Sequence, residues 1–252
     1  RCGYQCTRQE AHFIDRAKPG VIAVDLGGRR FTNEANSYHD VVQAMLKACA
    51  GKSETACWLV ADHRSAGRYG LGFVKPFPLP LGKHLRSGYL KRGRSPAELA
   101  RQIGVSPTAL EESIRRYNEH AQYGRDPDFG RGSKAYNRYQ GDALHGPNPC
   151  VEPLRSGPFY AIKLVAGDLG SFMGIKTNAH AQVVDTSGRP IDGLYAAGND
   201  AASVMGGEYT GAGITLGPGL AFGYIAGNHL ADLASKPDTH AAPASNAAVA
   251  AV

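Results

Sequence analysis

Apolar positions fall in short blocks along the chain, and each block carries the period of one kind of element. Residues 21–26 form a nearly continuous apolar run that predicts a strand. Gly27-Gly28 predicts the turn after it, and Arg30-Phe31-Thr32 predicts a hairpin partner. Over residues 39–47 the spacing changes to helical, with Val42, Met45 and Leu46 on one side. Residues 57–60 predict another short strand.

Two helices are marked by their starts. Ser95-Pro96-Ala97-Glu98 is a capping box with proline at the first helical position, and Gly104 ends that helix. Ser106-Pro107 opens the second, in which Leu110, Ile114 and Tyr117 make an apolar stripe while Glu111, Arg115 and Glu119 face out. Residues 124–148, rich in Gly, Pro and Asp, predict a loop too long for a compact domain unless it is functional or mobile.

Beyond residue 170 the texture shifts. Strands are predicted at residues 181–185 and 194–197 around a turn at 186–190, then a glycine-dense loop, then a helix over residues 214–233. Residues 235–252, rich in Ala, Pro and Ser without periodicity, predict a disordered tail. The division expected is therefore 1–170, 171–234 and 235–252.

The stretch from Gly193 to Gly227 carries ten glycines in 35 residues. Each adds backbone entropy that folding must remove. Such a density is tolerated where backbone must approach a ligand, with helix-start N–H groups aimed at it. The alternative is that the glycines only let a helix pack tightly on a sheet. Gly217-Pro218-Gly219-Leu220-Ala221-Phe222-Gly223 imitates a nicotinamide-dinucleotide fingerprint, but no βαβ unit with a downstream acidic residue follows it.

Composition narrows the class. The 252 residues suffice for a sizeable core. No apolar run approaches the roughly 20 residues of a membrane span, so no transmembrane segment is expected. Five scattered cysteines (Cys2, Cys6, Cys49, Cys57, Cys150) without a Cys-x-x-Cys pair, and no His-Glu-x-x-His, give no metal site and fit a reducing cytoplasm. The net charge of +6 gathers basic residues over 83–101. That run reads as a solvated loop, without a nucleic-acid module, although an anionic substrate or cofactor phosphate is an intermediate possibility.

Candidate chemistry rests on tyrosine. Tyr209 lies inside the glycine loop, where its hydroxyl and the Gly213 amide can together hold a ligand carbonyl as an oxyanion-type site. Tyr38 follows Arg30-Phe31-Thr32-Asn33-Glu34, in which Asn33 and Glu34 can anchor a turn to neighbouring backbone. On its own pattern Tyr38 is a half-buried packing residue.

Gly193-Leu194-Tyr195-Ala196-Ala197-Gly198-Asn199, the glycine loop, Arg30-Phe31-Thr32-Asn33-Glu34, Pro158-Phe159-Tyr160-Ala161-Ile162 and Gly174 resemble the FAD-dependent fumarate reductase/succinate dehydrogenase flavoprotein superfamily. Within it the pattern is most similar to the 3-ketosteroid dehydrogenases, over residues 19–233. The fumarate reductases carry an arginine where this chain has Tyr38.

The resemblance implies an α/β fold, an α+β substrate-binding cap plus the C-terminal part of a Rossmann-like FAD-binding domain, with that domain incomplete. It implies FAD as cofactor, a steroid-like ketone as substrate and an electron acceptor as partner. Tyr209 and Gly213 would hold the keto oxygen, and Tyr38 would take a proton from the adjacent carbon. Gly198, Asn199, Glu208, Thr215 and Leu216 would lie along the flavin. No Gly-x-Gly-x-x-Gly half and no match to an assisting N-terminal tyrosine are present, so the chain is expected to be a C-terminal portion that retains FAD weakly and is inactive alone. An enoate reductase clamping an acid with Arg68, Arg92 or Arg94, taken as loop residues, and a non-catalytic binding domain are the alternatives.

Overall fold

The computed structural model describes residues 15–78, 81–167, 170 and 172–235. They form two compact units that divide after Gly167.

In chain order the first unit contains β1 (Val21–Val24), α1 (Tyr38–Ala48), β2 (Ala56–Ala61), α2 (His63–Tyr69), α3 (Gly82–Arg86), β3 (Lys91–Gly93), α4 (Pro96–Ile103), α5 (Pro107–Ala121), α6 (Ala135–Gln140) and β4 (Phe159–Val165). The strands pair antiparallel in the order β1-β2-β4-β3, with Ile22 opposite Val60, Leu59 opposite Ile162 and Arg92 opposite Tyr160.

Side chains alternate across this sheet. Ile22, Val24, Trp58, Val60, Phe159 and Ala161 pack with Leu99 and Ile103 of α4 and with Leu110, Ile114 and Tyr117 of α5. Val21, Ala23, Cys57, Leu59, Ala61, Tyr160 and Ile162 pack with Met45 of α1 and Ala66 of α2. Both faces are covered, so β2 is buried along its whole length and its sequence shows a run instead of an alternation. Each fully buried Leu, Ile or Val contributes about 1.5–3 kcal/mol.

The helix starts follow the sequence. Ser37 Oγ accepts from Asp40 N (3.1 Å), Ser95 Oγ from Glu98 N (3.2 Å) and Ser106 Oγ from Ala109 N (3.3 Å). The Glu98 carboxylate accepts from Arg94 N at 3.0 Å, one residue earlier than a reciprocal capping box requires. Gly104 ends α4 in the left-handed region at φ 71°.

Two expectations need correction. The segment after Gly28 is not a hairpin strand, because only Val24 and Arg30 form a β-bridge. Asp25 Oδ1 closes the turn by accepting from Gly27 N (2.8 Å) and Arg29 N (3.0 Å). Arg30 then turns inward to charged partners. Residues 124–148 are not a bare loop either. They contain α6 and supply one of those partners, Asp126.

Arg30 donates to Glu34 through Nε (2.9 Å) and Nη2 (2.8 Å), and to Asp126 through Nη1 (2.9 Å) and Nη2 (3.0 Å). Its guanidinium lies over the rings of Tyr117 (4.6 Å) and Phe129 (5.0 Å). Glu34 also accepts from Arg131 Nη1 (3.1 Å) and from Ala23 N (3.0 Å). Arg131 donates onward to the carbonyls of Val21, Arg16 (2.9 Å) and Lys18 (2.8 Å). Burial pushes the Glu34 carboxyl up, but the charges of Arg30 and Arg131 and the hydrogen bonds from Arg30 and Ala23 outweigh it and hold the group below its ordinary value.

The second unit contains β5 (Gln182–Val184) and β6 (Pro190–Tyr195), paired antiparallel, a 3-10 turn at Gly198–Asp200 and α7 (Leu216–Ser235). Asp185 Oδ1 closes the hairpin turn by accepting from Ser187 N (2.8 Å) and Arg189 N (3.0 Å). The helix starts and ends two residues later than its pattern predicts, and none of its residues is buried. The tail expected at 235–252 lies, after Ser235, outside the described residues.

Glu34→Gln removes the shared counter-charge of two buried guanidinium groups and is expected to lower unfolding stability by about 3–5 kcal/mol, read from urea midpoints. The pH dependence has a definite sign. A carboxyl depressed in the folded state contributes stability above its unfolded value of about 4.3 and loses it as pH falls below that. Wild-type stability should therefore decline on acidification below about pH 5, and Glu34→Gln should show a shallower decline.

Candidate active site

In the first unit the site candidate is Tyr38, the first residue of α1 and half-buried. The peptide leading to it is held from several directions. Asn33 Nδ2 donates to Phe129 O (3.1 Å) and Asn137 Oδ1 (3.0 Å), and Asn33 Oδ1 accepts from Ala35 N (3.0 Å). Arg16 Nη1 donates to Glu34 O (2.7 Å) and Asn36 O (3.3 Å). Asn137 Nδ2 donates to Ala35 O (2.9 Å) and Asn36 Oδ1 (3.1 Å). The anchoring expected of Asn33 and Glu34 is present, and they anchor through side chains as well as backbone.

In the second unit Tyr209 is half-buried on the loop between the 3-10 turn and α7, and Gly213 is exposed just before the helix. Gly206, Gly207, Gly211 and Gly213 have φ of 62°, 90°, 152° and 92°. These are backbone conformations that only glycine adopts without strain. A Cβ built on any of the four would meet nothing within 4 Å. The loop needs glycine for its course and keeps open space beside it.

Tight packing, the alternative reading, holds at other glycines. A Cβ on Gly174 would lie 2.5 Å from the Ala201 backbone, whereas one on Gly219 would make only ordinary contact with Gly198 Cα at 3.4 Å. Gly198, Asn199 and Thr215 line one cavity of about 30 Å³ together with Phe172, Ser203 and Phe222. Glu208 and Leu216 lie outside the cavity; both are exposed, Leu216 by 72 %. Leu220 and Tyr224 on the next turns of α7 are about equally exposed.

This surface fits FAD. Open glycine backbone lets a large planar group approach, Asn199, Glu208 and Thr215 offer polar atoms, and Leu216 offers an apolar wall. The start of α7 adds partial positive charge that favours an electron-rich edge, although Gly217 N and Gly219 N already donate to Gly213 O and Thr215 O and Pro218 has no N–H.

The arginines considered as clamps are placed differently from expectation. Arg68 lies on α2, not in a loop, and pairs with Asp142 at 2.8 Å. Arg92 lies in β3 and Arg94 follows it, both exposed. The basic run over 83–101 is thus built from α3, β3 and most of α4, with Arg101 in its last turn, instead of one loop.

Among the described residues no cluster of His, Cys, Asp or Glu could hold a metal, and no helix is long and apolar enough to cross a membrane. Cys49, Cys57 and Cys150 are free and buried, and burial pushes the Cys57 thiol up to about 12.

Sequence reasoning missed Arg16, Asp126, Arg131 and Asn137. Each lies at least 18 residues from its partner in the 33–36 segment or in Arg30. The available signal was charge inside a Gly-rich stretch, Asp126-Pro127-Asp128-Phe129-Gly130-Arg131.

The sequence model of the FAD binding domain family matches residues 4–216. The 4-oxocyclohex-2-ene-1-carboxylate 5-dehydrogenase of Sinomonas cyclohexanicum is 47% identical over 86% of this chain and 37% of its own length. The 3-oxosteroid 1-dehydrogenase of Mycobacterium tuberculosis is 38% identical over 88% of this chain and 40% of its own. The crystal structure of 3-ketosteroid delta1-dehydrogenase from Sterolibacterium denitrificans, in complex with 1,4-androstadiene-3,17-dione, superimposes with a TM-score of 0.82 at 40% identity. It covers 88% of this chain and 40% of that one. The chain thus spans about two-fifths of the length of these relatives. With the glycine loop, the mixed α/β architecture and the Asn33-Glu34 anchor in place, the chain belongs to the FAD binding domain family, whose cofactor is FAD.

Proposed function

We propose that this chain carries the substrate-binding part (residues 1–170) and the C-terminal FAD-binding segment (171–234) of a dehydrogenase that desaturates a carbon–carbon bond next to a ring ketone. The observation that carries the reading is the loop at residues 206–213: the Tyr209 phenol and the Gly213 amide lie among glycines at positive φ, with open space at each missing Cβ. The names of the dehydrogenase relatives share an oxo group on a ring.

Each residue then has a role set by its chemistry. Tyr209 OH and Gly213 N–H donate to the keto oxygen, which stabilises negative charge as it develops there. That charge is the enolate formed when the adjacent carbon loses a proton. Tyr38 accepts the proton. A free tyrosine ionises near pH 10, so a phenolate at pH 7 costs about 4 kcal/mol, and acidification of the carbon by the two donors offsets part of it. Ketosteroid isomerase likewise pairs a base with hydrogen-bond donors at the oxyanion. FAD, when bound, supplies a two-electron acceptor for the hydride leaving the neighbouring carbon. Gly198, Asn199, Glu208, Thr215 and Leu216 are the residues that would hold it.

The enoate-reductase alternative loses one support, since the Arg68 charge is already matched by Asp142. The protein made from the full reading frame should be yellow and should reduce an artificial electron acceptor in the presence of a 3-ketosteroid or a 4-oxocyclohexanecarboxylate. Turnover of fumarate-like acids instead would favour the reductase, and absence of flavin would favour a non-catalytic domain.

In that protein Tyr209→Phe is expected to lower kcat/KM by about 10²–10³-fold, measured by steady-state kinetics. A wild-type rate would remove Tyr209 from the site. Gly213→Ala places a side chain at φ 92° and should lower turnover although it meets no neighbour. Gly174→Ala should instead lower the melting temperature, because its Cβ overlaps Ala201.

A further inference from the structure

We propose that Asn137 is a positioning residue for Tyr38: its buried amide fixes the peptide that carries the proton acceptor. This rests on the assignment of Tyr38 as that acceptor.

Asn137 is wholly buried. A carboxamide has two N–H donors and two acceptor lone pairs on its oxygen, and here all four are used. Nδ2 donates to Ala35 O and Asn36 Oδ1. Oδ1 accepts from Asn33 Nδ2 and from Gly132 N (3.2 Å). Three of the four partners lie in the segment that delivers Tyr38.

The remaining bonds of that segment leave it little freedom. Asn36 N donates to Asn33 O (3.1 Å), and Arg16 holds the carbonyls of Glu34 and Asn36. Only Ser37 then separates Asn36 from Tyr38. Ser37 is buried, caps α1 through its hydroxyl and accepts from Val41 N (3.0 Å) through its carbonyl. The Cα of Tyr38 cannot shift without breaking bonds on both sides.

Proton transfer needs the acceptor within hydrogen-bond reach of the carbon-bound proton. Misplacement by about 1 Å can cost 10²-fold. The bonds of Asn137 have that leverage, since they act two and three residues before Tyr38. Its own main-chain carbonyl is held as well, by Cys150 Sγ at 3.0 Å, so the amide is itself fixed.

The test uses the flavin-loaded full-length enzyme with a ring ketone substrate. Asn137→Ser and Asn36→Ala are each made alone and in a Tyr38→Phe background. The readouts are flavin content, melting temperature, kcat, KM and the deuterium isotope effect at the carbon that loses the proton.

The expected result is flavin retained, KM within about threefold, kcat lowered about 10–100-fold and a larger isotope effect. In the Tyr38→Phe background neither change should lower the rate further. A loss confined to melting temperature, or a loss of kcat that adds in full to that of Tyr38→Phe, would overturn the proposal. If Asn137→Ser does not fold, Asn36→Ala decides alone, because it leaves three of the four amide bonds in place. A near wild-type rate in Tyr38→Phe itself would overturn the assignment of the acceptor, and is thereby distinguished from failure of the positioning role.

Discussion

Everything in the first unit that concerns Tyr38 depends on one buried carboxylate. Glu34 is fully excluded from water, and it lies between Arg30 and Arg131, with Asp126 balancing the second positive charge. Burying four charges costs several kcal/mol per ion unless geometry and hydrogen bonds restore it. Here they do so through forked contacts and through carbonyls of Arg16, Lys18 and Val21. The gain lies less in net stability than in geometry. The cluster ties β1, the 30–38 segment and the 126–137 segment together, although Arg131 Nε is left without a partner.

That arrangement explains how an irregular peptide is held in one course up to Tyr38. Residues 31–37 form neither helix nor strand, so the backbone there has no ladder of its own. Side chains supply the missing partners instead: Asn33, Asn137 and Arg16 take the role that neighbouring strands play elsewhere. The helix begins immediately after, capped by Ser37. Loop freedom is thereby removed at the point where α1 starts.

The second unit works by the opposite device. Its loop at residues 206–213 is built from glycines that leave space, and α7 buries none of its residues within the unit. An apolar helix with exposed Leu216, Leu220 and Tyr224 suits contact with a large flat group or with further protein.

Much of this was legible in the residue order. Helix starts at Ser95-Pro96 and Ser106-Pro107, the stop at Gly104 and the stripe of Leu110, Ile114 and Tyr117 are local signals, set by capping chemistry and by the period of a helix. The glycine loop and the Asn33-Glu34 motif were legible for a similar reason, since their composition departs from what a core requires. The sequence itself determined these elements because their causes act within a few residues. Only the tertiary structure decided that residues 124–148 are anchored scaffold, that Arg30 turns inward instead of extending a hairpin, and that β4 joins β2 to β3. Those outcomes depend on ion pairs and strand pairings between residues up to about a hundred positions apart, and no local period or motif encodes which distant charge will meet which.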